Sequence, residues 1–207
     1  MAFDALYEVA QRLVKAQVPT IIRNGLLFSS LTALLKRNSR VRGISSGDAF
    51  RRLVAKTLAK QFQGSLREAV WPHNFGIYDR SGTDAASHLI RYLTDAHPDK
   101  VLSSIDGVGA FDHVSRTRMF EQLFMNEHLH GLVSFVRLWY AVPSQYKWKD
   151  QGGRVHTIQQ GDGGKQGDAL MPALFCLALH AALEHIRSIL PDGAEVIAYL
   201  DDIYMLL

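Results

Sequence analysis

The sequence predicts a mixed α/β fold in which helices alternate with short strands, and three observations carry that expectation. Apolar residues recur at helical spacing in several stretches, beginning with Phe3, Leu6, Tyr7, Ala10, Leu13 and Val14. The turn signal Asp150-Gln-Gly-Gly lies between the segments 146–148 and 154–158 and marks a hairpin. Near the end, the apolar segments 196–200 and 203–207 flank Asp201-Asp202, which is expected to be a second two-residue turn.

The elements follow in order. The first helix ends before Pro19. Residues 26–35 are expected to be extended and apolar, residues 42–48 a loop, and residues 49–62 a helix with Phe50, Leu53, Val54, Thr57 and Leu58 in phase. Ser81 can cap a helix that runs to about Ala96. Residues 101–105 form a short strand that stops on Asp106, and 115–130 and 132–140 are helical. The Gly-rich stretch 160–167 is a loop leading into a long helix from about Asp168 to Leu190. Pro172 falls near its first turn, where a missing N–H is tolerated. Pro191-Asp192-Gly193 then turns the chain into the last hairpin. No internal repeat and no linker is evident.

Composition bounds the function. The 207 residues are 47% hydrophobic, 21% charged and 10% aromatic, enough for one domain or somewhat more with a sizeable core. Disordered, collagen-like and low-complexity classes are excluded. A single cysteine, Cys176, excludes an internal disulfide, a multi-cysteine zinc site and an iron–sulfur cluster, and suits a reducing compartment inside the cell, nucleus or cytoplasm. The longest apolar run, 169–183, is short of a membrane span and holds Pro172 and His180, and no signal peptide is expected. The net charge of +3 hides an asymmetry. Residues 36–60 carry eight basic side chains (Lys36, Arg37, Arg40, Arg42, Arg51, Arg52, Lys56, Lys60) against Asp48 alone, whereas residues 61–207 carry twelve basic and seventeen acidic. Such a block is either a solvated face or a phosphate-binding surface.

The last hairpin is the most informative place. Hairpin turns favour Gly and Asn because central residues need positive φ, so two adjacent aspartates are an odd choice for stability alone. The doublet is either an exposed turn or a cation site, since side-by-side carboxylates between buried strands cost energy without a counter-ion. Asp106 also ends a short apolar strand. Neighbouring strands carrying Asp106 and Asp201 would gather the carboxylates that a two-metal phosphoryl-transfer site uses.

Four blocks together resemble the reverse transcriptase domain of non-LTR (LINE-type) retrotransposons and group II intron proteins. They are VRGISSGDAFRRLVAKTL (41–58), SSIDGVGAFDHVSR (103–116), QGDALMPALFCLAL (166–179) and YLDD (199–202), in the family's order. The resemblance implies an α+β right-hand polymerase fold: fingers over about 20–100, then mainly palm with some fingers elements over 101–207, with an antiparallel palm sheet backed by helices. It implies RNA-templated addition of deoxynucleotides to a primer 3′-hydroxyl, with an RNA template, a DNA primer and deoxynucleoside triphosphates as partners. Asp106, Asp201 and Asp202 resemble the family's metal ligands, which hold two Mg2+ ions, replaceable by Mn2+. Phe111 falls where the family places an aromatic ring beneath the nucleotide sugar. Gln166 and Gly167 resemble a pair that contacts the incoming nucleotide and lets the template base approach. Arg42, Arg52 and Lys56 match basic positions that grip phosphates, and for the other five basic residues of the block a solvated face is an equal alternative. Tyr199 is expected to pack beneath the hairpin.

The chain departs from the family pattern in places. The usual Arg-Pro-Ile is Arg42-Gly43-Ile44, and Met171 replaces a common serine. The sequence stops five residues after the doublet, so a thumb is expected to be missing. Three other functions compete. One is an inactive, truncated retroelement remnant with residual RNA binding. Another is an RNA-dependent RNA polymerase, because Asp106 and Asp112 fit Asp-x5-Asp. The last is a serine hydrolase, because 43–47 (GISSG) fits G-x-S-x-G. The stretch Gly161-Asp-Gly-Gly-Lys165 lacks P-loop spacing, and His180 and His185 are expected to be structural.

Overall fold

Two β-sheets organise the chain. The structure is a computed structural model that describes residues 2–35, 37, 39 and 41–207. The chain begins with helices α1 (Ala2–Val14) and α2 (Thr20–Leu27), strands β1 (Phe28–Leu35) and β2 (Val41–Ser46), and helices α3 (Ala49–Gln61), α4 (Gln63–Glu68) and α5 (Gly82–Ala96). Strand β3 (Leu102–Asp106) leads to the short α6 (Ala110–His113), then α7 (Arg116–Met125), a 3-10 turn and α8 (His130–Tyr140). The hairpin β4 (Ser144–Lys149) and β5 (Val155–Gln160), helix α9 (Met171–Ile189) and the hairpin β6 (Glu195–Tyr199) and β7 (Asp202–Leu206) complete it. A four-stranded sheet has the order β2-β1-β4-β5, and a three-stranded antiparallel sheet the order β3-β7-β6.

The main core gathers buried residues of α1, α3, α4, α7, α8 and α9. Helix α8 buries Leu132, Phe135, Val136, Leu138, Trp139 and Tyr140, an apolar distribution too wide for a surface helix. Helix α9 changes character along its length. Its first half, through Ala178, is buried in that core, while Leu183 and its neighbours pack on β6. It therefore ties the glycine-rich loop to the three-stranded sheet. Among the described residues, no helix is long and apolar enough to cross a membrane.

Four expectations are corrected. Residues 42–48 are not a loop: residues 41–46 are β2, paired with β1 from Ser30 opposite Ser46 to Leu35 opposite Val41. The segment has no strand alternation of its own, and its partner supplies the extended state. Ser81 precedes α5, but at φ 55° its side chain makes no cap bond, whereas Asp48 caps α3 by accepting from Phe50 N and Arg51 N. Helix α9 starts at Met171, with Asp168 in the turn before it. The last turn is Leu200-Asp201, because Asp202 pairs with Tyr199 and begins β7. Leu200, not an aspartate, takes the positive φ, at 56°.

Candidate active site

The three-stranded sheet sets the acidic residues. Asp106 ends β3 directly opposite Asp202 at the start of β7, and Asp201 precedes it in the turn. Opposed residues of an antiparallel pair share a face with Cβ atoms roughly 4.5–5.5 Å apart, where like charges repel. Among the described residues, none of the three carboxylates has an ion-pair or hydrogen-bond partner. This concentration of negative charge is suited to a cation.

A cleft of about 600 Å³ opens beside them, lined by Arg42, Asp106, Phe111, Gln166, Gly167 and Asp201 among others. Six of the nine residues selected from the sequence therefore meet in one place. Asp202 stands outside its lining, across the strands from Asp106. Arg52 lines a small adjoining recess with Gly167, and Lys56 lies exposed one turn further along α3.

Local structure fixes the cleft walls. The Phe111 ring stacks on Phe175 of α9 with centroids 4.5 Å apart and planes at 20°, and Phe111 O accepts from Gly164 N at 2.7 Å. The stacked ring and the anchored backbone make a firm floor for the cleft. Gln166 donates its amide to Asp112 Oδ2 at 3.3 Å. Burial raises the Asp112 carboxyl above its usual value, against the opposing pull of His113 and Gln166. Gly167 has φ 115°, and a Cβ there would stand 2.3 Å from Ser45 O. The close approach that this glycine permits here is to β2, where Ser45 donates through both N and Oγ to Gln166 O. The buried Ser45 hydroxyl is thus committed to a backbone carbonyl, and no histidine is hydrogen-bonded to it among the described residues. Residues 43–47 therefore do not form a nucleophile elbow.

Three buried cations beside the cleft escaped the sequence reading. Arg51, for which the sequence offered a solvated face or a phosphate contact, is buried: it pairs with Asp168 at 2.7 Å and lies over the Trp139 ring at 4.4 Å. Tyr140 OH donates to the same carboxylate oxygen. The spacing Arg51, Val54, Ala55, Leu58 places Arg51 on the apolar face of α3, so a signal was present. Lys165, 2% exposed, donates to Leu27 O at 2.8 Å and Ser29 Oγ at 3.1 Å. Burial, with Arg51 nearby, lowers its pKa to about 7. Arg116 binds Gly163 O, Val142 O and Ser144 Oγ, each at 2.8 Å, which joins α7 to the glycine-rich loop and the start of β4. Of the remaining basic block, Arg37 and Lys60 are exposed, and Lys36 and Arg40 lie outside the described residues. His180 is half-buried beside His73 and Glu184.

Carboxylate oxygens are hard donors that suit magnesium or manganese. Among the described residues no three His, Cys, Asp or Glu side chains converge to enclose a metal. The set fits an ion that takes one or two protein carboxylates and completes its shell with substrate phosphates and water.

Comparison with known proteins bears on the fold and the family. The chain is 26% identical over 203 residues to the retrotransposable element SLACS 132 kDa protein of Trypanosoma brucei gambiense, an alignment covering 94% of this chain and 16% of that protein. In structure it resembles the telomerase of Candida albicans (TM-score 0.65, 13% identity, 91% of this chain and 39% of that one). It also resembles the apo telomerase of Candida tropicalis (0.60, 9%, 88% and 44%) and the RNA-dependent RNA polymerase of bacteriophage phi12 (0.54, 10%, 85% and 31%). At these identities the likeness concerns the fold alone, a palm-and-fingers polymerase fold. The profile of the family described as reverse transcriptase (RNA-dependent DNA polymerase) matches residues 34–207, most of the sequence, and the chain belongs to that family.

Proposed function

We propose that the cleft is the active centre of RNA-templated DNA synthesis within a retroelement protein. One observation carries this reading: Asp106, at the end of β3, and Asp201, in the turn between β6 and β7, line the same cleft as Phe111, Gln166 and Arg42. The primer 3′-oxygen attacks the α-phosphorus of a deoxynucleoside triphosphate; the new P–O bond forms as the bond to the β-phosphate breaks, and pyrophosphate leaves. Asp106 and Asp201, with Asp202 across the strands, would hold magnesium ions whose shells substrate phosphates and water complete, and this would supply the Lewis acidity that lowers the pKa of the 3′-hydroxyl and neutralises the triphosphate. Arg42, with Arg52 and Lys56 further out, attracts the triphosphate and template phosphates. Phe111, backed by Phe175, leaves no space for a 2′-hydroxyl. Gln166, steadied by Asp112, faces the incoming nucleotide.

Primer extension on an RNA template tests the reading. Extension with deoxynucleotides should require magnesium, stop with a chelator, and fall by about 10³-fold in Asp201→Asn. Extension unchanged in Asp201→Asn would refute it. A second reading, ribonucleotide polymerisation, rests on Asp112 lining the same cleft; extension with ribonucleotides alone would favour it.

A further inference from the structure

The turn that carries Asp201 is held from outside its own sheet. Residues 73–75 run beside β6 as an extra, parallel edge: Ala198 N donates to His73 O at 2.7 Å and Phe75 N to Ala198 O at 2.9 Å. Between these bonds sits Asn74, 1% exposed. Its side-chain amide continues the pairing past the strand end. Nδ2 donates to Leu200 O at 3.3 Å, and Oδ1 accepts from Leu200 N at 3.3 Å and from Gly76 N at 2.9 Å.

Leu200 is the residue that needs such a clamp. It occupies the first position of the two-residue turn with φ 56°, a region that a leucine rarely adopts. The turn is too tight for its own ladder to use both polar groups of Leu200, and the Asn74 amide satisfies both. The contact is close: a Cβ at Gly76 would fall 2.7 Å from Leu200 N, so only glycine lets the strap pass. Strained backbone at a site persists where its surroundings over-determine it.

We propose that Asn74 is a positioning residue for catalysis: by fixing the left-handed backbone of Leu200, it sets where the Asp201 carboxylate stands in the cleft. The inference rests on the polymerase reading of that cleft. It differs from a merely structural role because Asn74 acts through one conformation of one residue. Glycine adopts that conformation freely, so Leu200→Gly should make Asn74 dispensable.

A double-mutant cycle in the full chain decides. Asn74→Ala should lower kcat for primer extension about tenfold or more, with KM for deoxynucleotide within about threefold. In the Leu200→Gly background the same substitution should cost less than about threefold. An equal loss in both backgrounds, or no loss in a chain of unchanged melting temperature, overturns the proposal. If Asn74→Ala does not fold, Asn74→Asp, which keeps both acceptor bonds and loses the donor, takes its place in the same cycle. Hydrogen exchange separates this outcome from failure of the polymerase reading. Amides of 199–203 should exchange about tenfold faster in the variant while those of β3 do not, whether or not the chain extends primers. Unchanged exchange in 199–203 counts against the clamp alone, while an unsubstituted chain without magnesium-dependent extension counts against the polymerase reading alone.

Discussion

Charge is handled in opposite ways on the two sides of the cleft. On the three-stranded sheet, Asp106 and Asp202 are exposed and face each other with Asp201 adjacent, all without a protein cation among the described residues. On the four-stranded side, Arg51, Arg116 and Lys165 are buried, and each reaches a carboxylate, carbonyls or hydroxyls. The buried set joins β1, α3, α7 and the glycine-rich loop into one wall. The buried charges are desolvated and each has a partner, with Arg51 Nη1 alone among their buried polar atoms left without one, whereas the exposed carboxylates are unmatched and wet. Opposite effects on stability should follow when each kind is removed.

The largest effect belongs to the buried ion pair. Arg51→Met leaves the Asp168 carboxylate buried with Tyr140 OH and its neighbouring backbone N–H as donors. Breaking such a pair from one side costs about 3–5 kcal/mol, and urea unfolding should read that loss. Replacing Arg51 and Asp168 together by apolar residues should recover much of it, since desolvation of the pair offsets most of its attraction. A loss below about 1 kcal/mol in Arg51→Met would mean the pair is wet, and the contrast between the two walls would fail.

Next comes Arg116→Lys. The guanidinium spreads its donors over Gly163 O, Val142 O and Ser144 Oγ, and a single ammonium cannot reach that spread. With net hydrogen-bond contributions near 1 kcal/mol each, a loss of about 2–3 kcal/mol is expected in thermal or urea unfolding, despite the retained charge.

Lys165 adds a pH dependence to the same wall. Its folded pKa of about 7 lies below the ordinary value of 10.5, so between those values the unfolded chain holds a proton that the folded chain has released. Stability should therefore rise as pH climbs from about 7 towards 10.5 and receive no such gain below 7. A neutral amine still has two hydrogens for Leu27 O and Ser29 Oγ, so the clamp survives deprotonation. Lys165→Met should be less stable throughout and lose this part of the slope. Stability profiles that stay parallel across that window would count against a desolvated lysine.

The two walls were not equally legible in the sequence. Asp106, Asp201, Phe111 and Gln166 could be found because strand ends, turns and motif offsets are local properties of the chain. Lys165 could not, because its burial depends on Leu27, and Leu200 could not, because the partner that stabilises its backbone is Asn74. Residues 42–48 escaped because β2 owes its extension to β1. Arg51 is a different case: its place on the buried face of α3 was visible in the helical period, but its charge pointed towards solvent. Local pattern locates the groups proposed to meet substrate, while the groups that hold them depend on contacts far apart in sequence.

The smallest effect tests the exposed wall. Asp202→Asn removes one of two like charges opposed across β3 and β7, and repulsion at such pairs is worth roughly 0.2–1 kcal/mol. The variant should be slightly more stable in low-salt, metal-free buffer, and the gain should shrink as salt screens the pair. Magnesium should then stabilise the unsubstituted chain more than the variant, because the ion binds the charge that the substitution removes. Equal stability at every salt and magnesium concentration would mean that the opposed carboxylates do not feel each other, leaving the sheet without the electrostatic cost that a bound cation is proposed to relieve.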